Sequence, residues 1–193
     1  MTILADDVVR PDKYRATIAA GAAIVAVAAS LLASPDPAGL FGAGLAVLMA
    51  TIAVIDARNF IIPNELNAAA LALAMVAATT QIGAATVAGL AILRGAILAL
   101  LFLCLRLAYR LIRKRNGLGL GDVKLAAAAG AWLGWTAMPI AVEIAALMAL
   151  AVCAARRWML GRSLKSAGRL PFGLFFAPAI WLAWLLQTLW VLP

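Results

Sequence analysis

The sequence predicts an all-α protein, a polytopic membrane helix bundle of about seven transmembrane helices with its N-terminus in the cytoplasm and its C-terminus outside. Three observations lead there. Hydrophobic residues make up 66% of the 193 residues and charged residues only 12%, a balance that cannot supply the polar surface of a soluble domain. The apolar residues fall in runs near the roughly 20 residues that cross a hydrocarbon core of about 30 Å. The basic residues gather in loops that fall on one side of the resulting spans.

Backbone groups in lipid must be paired within their own segment, so continuous apolar runs of this length are helices. They lack the alternation of a membrane barrel. The first run, 14–32, follows the acidic and basic leader "MTILADDVVRPDKYR" and carries no secretory cleavage pattern at its end, so it reads as a retained anchor. The second, 38–55, begins after "ASPDPAG" and ends at Asp56. The third, 66–82, opens behind Pro63, which suits a first helical turn, and Glu65, which suits the positive end of a helix dipole. A turn near "TTQIG" separates it from the fourth, 85–109. The fifth, 123–135, is short and follows the glycine-rich "NGLGLGD"; the sixth and seventh cover 137–155 and 172–191. Counts of six or eight remain compatible with the pattern. The whole of 1–193 reads as one membrane-embedded domain.

With seven spans, Arg10, Lys13, Arg15, Arg58, the cluster Arg106 to Lys124 and the cluster Arg156 to Arg169 all lie on one side. The opposite loops, "ASPDPAG", "QIGA" and "T", hold no Lys or Arg. That asymmetry sets the orientation and accounts for the net charge of +8. A nucleic-acid partner is not expected, because no basic patch is interleaved with aromatics. The chain has no histidine, which removes histidine-dependent catalysis and histidine-ligated metals, and Cys104 and Cys153 show no metal-ligand spacing. They read as small buried apolar residues. No cofactor and no metal are expected.

Acids are scarce enough to weigh one by one. Asp6, Asp7, Asp12 and Asp36 fall in the tail and an outer loop, where water solvates them. Glu143 and Arg94 lie inside spans, where an isolated charge is costly; an ion pair between spans four and six is the simplest account, and a proton-relay role in a small transporter is the alternative. Asp56 ends span two in "TIAVIDARNFIIPN" and Asp122 opens span five in "GLGLGDVKL". Taken singly, Asp56 pairs with Arg58, and Asp122 is a helix N-terminal acid. Together, at one membrane boundary, they suggest a carboxylate dyad.

Such a dyad needs no histidine. Two close carboxylates cannot both ionise easily, so one keeps a proton. The ionised member takes a proton from water and the protonated member donates to the carbonyl oxygen of a scissile amide, with neither role assigned to either residue. Gly117, Gly119 and Gly121 allow close backbone approach and unusual backbone conformations, and a flexible turn there could bring Asp122 to Asp56. A phosphate-binding loop is a poor alternative, since no G-K-[ST] ending is present.

Three stretches resemble the type IV prepilin peptidases, integral-membrane aspartic proteases of the GxGD type. "GLGLGDVKLAAAAGAWLG" is similar to the family's GxGDxKL signature, with Gly119, Gly121, Asp122 and Lys124 in the matching places. "DARNFIIPN" resembles its first aspartate followed by a hydrophobic-Pro pair, here Asp56, Ile62 and Pro63, with Asn64 beside them. "LPFGLFFAPA" resembles its P-F-G-P segment through Pro171, Phe172 and Gly173, with Leu174 where a second proline is usual. The resemblance implies catalysis by Asp56 and Asp122, with Pro63, Asn64, Gly119, Gly121, Lys124, Pro171, Phe172 and Gly173 shaping the site. It implies removal of a short basic leader from type IV prepilin or pilin-like subunits at the cytoplasmic face of the bacterial inner membrane. The partners it implies are the substrate's hydrophobic N-terminal helix, the bilayer and the pilus assembly machinery. Longer members also methylate the new N-terminus and carry a cytoplasmic domain with paired CxxC motifs; this chain resembles the short form that accompanies tight-adherence (Flp-type) pili, so methylation is not expected. Two other readings stay open at this point: a non-catalytic pilus-assembly subunit, and a presenilin-like GxGD peptidase, which the "DARNFIIPN" segment disfavours.

Overall fold

The computed structural model describes residues 11–114, 117–160 and 171–189. Seven helices follow one another: α1 (Pro11–Ala33), α2 (Pro37–Asn59), α3 (Asn64–Thr79), α4 (Ala84–Arg113), α5 (Leu120–Trp132), α6 (Ala137–Leu160) and α7 (Gly173–Thr188). The expected all-α bundle is therefore observed, helix for span. Three of the helices, at Pro37–Asn59, Ala84–Arg113 and Ala137–Ala155, are long and apolar enough to cross a membrane. The expected spans differ most at their ends, with α6 running to Leu160 rather than 155, α2 to Asn59 rather than 55 and α4 to Arg113 rather than 109, while the 13 residues of α5 cover only about 20 Å at 1.5 Å per residue. Arg10, Arg115, Arg162, Lys165 and Arg169 of the charge pattern, and Asp6 and Asp7 of the tail, lie outside the described residues.

The short α5 is the centre of the bundle, packed by α3, α4 and α7. Leu125, Ala126, Ala128 and Ala129 are completely buried. Small residues make this possible: a Cβ on Gly130 would fall 2.5 Å from the Arg94 carbonyl oxygen, and one on Gly95 would fall 2.8 Å from that of Ala127. The α4 and α5 backbones thus meet glycine to backbone, the contact that small residues permit between apolar helices. Around them, α2 packs on α1, α3 and α7, while α6 packs on α7. Polar tethers reinforce the apolar contacts. The Trp132 Nε1–H donates to the Ala70 carbonyl at 2.9 Å, the Trp181 Nε1–H to Ser30 Oγ at 3.0 Å, and the Gly134 N–H to Gln187 Oε1 at 2.8 Å.

Several expectations are corrected here. Arg94 and Glu143 form no ion pair: α4 packs against α5 and α6 against α7, so the two side chains face different neighbours. Arg94 donates from Nε to the Gly130 carbonyl at 3.4 Å, and Glu143 is exposed on α6. Cys104 is exposed and Cys153 half-buried, both as free thiols, so they do not serve as core residues. Glu65 does occupy the first turn of α3, exposed, as its place behind Pro63 predicts.

Candidate active site

One end of the bundle gathers the last turn of α2 and the first turns of α3, α5 and α7. The α2 helix ends on Phe60, a non-glycine residue in the left-handed region at φ 55°, whose N–H returns to the Asp56 carbonyl at 2.9 Å. This is a helix-terminating αL turn. The chain then runs extended through Pro63 (φ −61°, ψ 137°) into α3, which turns Ile62 inward to 7% exposure.

Ile62 is the wedge on which the site is built. A Cβ on Gly121 would fall 3.0 Å from Ile62 Cβ. A Cβ on Gly173 would fall 2.8 Å from Ile62 Cδ1 and 2.7 Å from Asp56 Oδ2. The starts of α5 and α7 therefore close on one side chain: a Cβ at Gly173 forces a shift, and one at Gly121 fits only if Ile62 gives by a few tenths of an ångström. Phe172 supports the α7 start from the other side, with its ring centroid 6.3 Å from Phe102 and 5.3 Å from Phe176. The GxGD glycines act by close approach: among the described residues the only glycine with positive φ is Gly83, and Gly119 is extended at φ −74°, ψ 155°. The expected unusual backbone conformation is thus not what these glycines provide.

Asp56 and Asp122 are buried at 5% and 8% exposure. Asp56 Oδ2 accepts the Leu174 N–H at 2.9 Å, and the Gly173 N–H is also directed at this carboxylate. Its partner is thus the start of α7 rather than Arg58. Asp122 Oδ2 accepts the Gly119 N–H at 2.9 Å, the N3-to-N-cap half of a capping box. Each carboxylate lies at a helix N-terminus, where free N–H groups and the dipole favour negative charge. Asp122 stands in the first turn of α5, ahead of the apolar run that starts at Val123. Burial pushes it up to about 6; the Gly119 N–H opposes that rise, the nearby Asp56 charge adds to it, and Arg106 opposes it. Asp122 thus senses the charge of Asp56.

The remaining predicted residues frame this pair. Lys124 is exposed and donates from Nζ to Asn64 Oδ1 at 2.6 Å, which ties α5 to the first residue of α3. Pro63 is the N-cap position of α3 and Pro171 precedes α7, both half-buried. Gly119, Gly121 and Gly173 touch the pair or its wedge, and Phe172 backs the α7 start through Phe102 and Phe176, as described. Sequence reasoning missed two contributors. Arg106 donates from Nη1 to the Leu118 carbonyl at 2.8 Å and fixes the glycine-rich approach to α5; its position nearest the apolar side of its basic cluster was the available signal. Leu174 contributes through its backbone, which no side-chain pattern reports. Asn67, one turn beyond Asn64, is buried with neither amide atom bonded. A cavity of about 520 Å³ lies at the other end of the bundle. No pair of carboxylates lines it, so the reactive site is taken at the dyad.

A paired carboxylate site on glycine-flanked helix starts can activate water against an amide. Comparison with known proteins points the same way. Residues 43–154 match the type IV leader peptidase family. A prepilin leader peptidase/N-methyltransferase of Burkholderia pseudomallei is 36% identical over 165 residues, covering 83% of this chain and 50% of that protein. One from Aeromonas hydrophila is 28% identical over 166 residues, covering 83% of this chain and 54% of that protein. The leader peptidase HopD of Escherichia coli is 47% identical over 72 residues, covering 37% of this chain and 45% of that protein. The chain thus spans about half the length of these relatives. No solved structure gives a significant match.

Proposed function

The chain belongs to the type IV leader peptidase family, and from that premise we propose that it is a membrane-embedded aspartic endopeptidase. Its reaction is removal of the short basic leader from type IV prepilin or pilin-like subunits. The observation that carries this reading is the convergence of Asp56 and Asp122, two buried carboxylates within electrostatic reach, at one end of the bundle.

In the proposed mechanism the pair shares one proton. Burial pushes the Asp56 carboxyl up, and the N–H groups of the α7 start oppose that rise. Asp122, pushed up to about 6, is the better proton holder. Asp56 takes a proton from a water as its oxygen bonds the scissile carbonyl carbon, and Asp122 gives its proton to the carbonyl oxygen. The resulting diol collapses, the C–N bond breaks, and the proton held by Asp56 passes to the leaving nitrogen. Asp122 recovers a proton from the new acid, restoring the starting pair. Lys124, Asn64, Pro63, Pro171 and Phe172 shape the approach; Gly119, Gly121 and Gly173 keep the carboxylates close to Ile62 and to backbone donors.

The whole of 1–193 acts as one domain in this reading. The N-terminus and the dyad face the cytoplasm, the C-terminus lies outside, and the bilayer is the bacterial inner membrane, as the distribution of Lys and Arg supports. The substrate's apolar N-terminal helix then approaches through the bilayer, and the pilus assembly machinery receives the product. Leader cleavage alone is assigned; the methyl transfer in the names of the longer relatives is not carried over. A transporter built on Arg94 and Glu143 finds no support, because the two groups do not meet. Co-expression with a prepilin tests the proposal: the wild-type chain shortens the precursor, and Asp56→Asn and Asp122→Asn chains of equal abundance do not. Shortening by both variants would leave a non-catalytic assembly subunit as the better reading.

A further inference from the structure

The remote cavity has a physical origin in the shortness of α5. This helix ends at Trp132 while α2, α3, α4 and α7 continue past it, and the space above its end is lined by all of them. Arg94 sits at the inner part of this space, ten residues along α4 from Ala84, or about 15 Å of helix. A permanent cation at such depth in an apolar segment is costly unless it is paired. Among the described residues only its Nε–H is engaged, in the 3.4 Å bond to Gly130, while a guanidinium carries five donors. The C-terminal dipole of α5 offsets about half a charge. Among the described residues no charged side chain acts on Arg94, so the remainder of its charge faces the cavity.

The rim has the opposite sign. Asp36 caps α2, and its hydrogen bonds to the Ala38 N–H and the Ser34 hydroxyl both use Oδ1. Gln81 and Thr80 stand on the same rim, and Trp132 and Trp184 form apolar walls. Leu90 lines the cavity yet is 41% exposed, and Leu93, on the same face of α4, is 49% exposed. The wall therefore runs into the outward apolar surface of the helix.

We infer that this cavity binds the headgroup of a zwitterionic phospholipid, with its phosphate on Arg94 and a primary ammonium against Asp36 and the rim acceptors. Depth and sign agree: in such a lipid the phosphate lies nearer the acyl chains and the ammonium farther out, which is the order of Arg94 and Asp36. The volume of about 520 Å³ falls in the range of small-ligand sites. A primary ammonium suits the carboxylate and amide acceptors because it donates three hydrogen bonds, which a quaternary one cannot. The acyl chains follow Leu93, Ile97 and Leu100, which continue that face deeper along α4, into the bilayer.

The test uses the full chain, delipidated in detergent, with native mass spectrometry to read retained lipid and a melting curve to read stabilisation. Phosphatidylethanolamine, phosphatidylcholine, phosphatidylglycerol and inorganic phosphate are added separately. The wild-type chain is expected to retain phosphatidylethanolamine about tenfold better than the other two lipids, with Arg94→Gln lowering retention about tenfold. Asp36→Asn is expected to erase the preference for ethanolamine while leaving phospholipid retention in place. Equal retention of all three lipids by the wild type, undiminished retention by Arg94→Gln, or a full melting shift from inorganic phosphate alone would each overturn the inference. Should Arg94→Gln fail to fold for want of its bond to Gly130, the headgroup preference of the wild type and its loss in Asp36→Asn decide the matter.

Discussion

Replacing Gly173 with alanine places one methyl group against the proposed catalytic pair and little else. The added Cβ would fall 2.7 Å from Asp56 Oδ2, 3.0 Å from Asp56 Cγ and 2.8 Å from Ile62 Cδ1. Ordinary contact begins at 3.4 Å, so the carboxylate must retreat by about 0.7 Å or the start of α7 must lift away, carrying the Leu174 N–H with it. Either movement spoils the near-attack geometry, where a displacement of about 1 Å costs on the order of 10²-fold in rate. The packing cost is smaller, about 1–3 kcal/mol for one methyl group forced into a filled site, so the variant should still fold. The assay is leader removal from purified prepilin by detergent-solubilised enzyme, with a melting curve alongside. A useful control is Gly117→Ala, whose Cβ would have the Tyr109 ring as its nearest neighbour, at 2.5 Å; Tyr109 is 46% exposed and can swing aside. Gly173→Ala should lose about 10²-fold in kcat with a modest fall in melting temperature, and Gly117→Ala should stay within a few-fold of wild type. Cleavage by Gly173→Ala at the wild-type rate would refute the proposed role of the α7 start.

Three further outcomes follow from the same geometry. Asp122 is held at about 6 in the folded chain against an ordinary 3.8, so the folded state binds its proton more tightly; the stability this gives is complete below 3.8 and lost as pH rises through about 6. Melting curves should show that loss in the wild type and not in Asp122→Asn, and kcat/KM should fall as the pair loses its shared proton above about 6. Leu174→Pro removes the N–H that bonds Asp56 Oδ2 at a helix position where proline is tolerated; with less support for the ionised form, the acid limb of the pH–rate profile should move to higher pH, and an unmoved limb would count against that bond. Asn67→Leu removes a buried amide with no hydrogen bonds and should stabilise the chain by about 1–3 kcal/mol, read as a raised melting temperature.

Much of the fold was legible because lipid imposes a simple rule: an apolar run of sufficient length must be a helix, and seven runs gave seven helices. The helix ends were less so, since α2, α4 and α6 continue past their apolar runs through charged residues such as Arg58, Arg113 and Arg157. Asp56 and Asp122 stood out because carboxylates are rare in such a chain, and alternating helices carry the end of α2 and the start of α5 to the same side. What the sequence withheld was azimuth. Residue order places Arg94 and Glu143 each within an apolar run but cannot say which neighbour each faces, and α4 turned toward α5 while α6 turned toward α7. Backbone donors were equally hidden. The GxGD glycines suggested freedom of conformation, whereas the structure uses Gly121 for its lack of a side chain against Ile62. That distinction depends on a residue 59 positions earlier in the chain, which local pattern does not reach.

The central claim is that Asp56 and Asp122 act as one unit on a peptide bond, and a double-mutant cycle on cleavage tests it most directly. Asp56→Asn, Asp122→Asn and the double variant are measured with the same prepilin under single-turnover conditions. The account predicts that each single variant loses most of the activity and that the double is no worse than the weaker single, because residues that share one proton fail together. Losses that multiply, or a single variant that keeps cleaving near the wild-type rate, would contradict it.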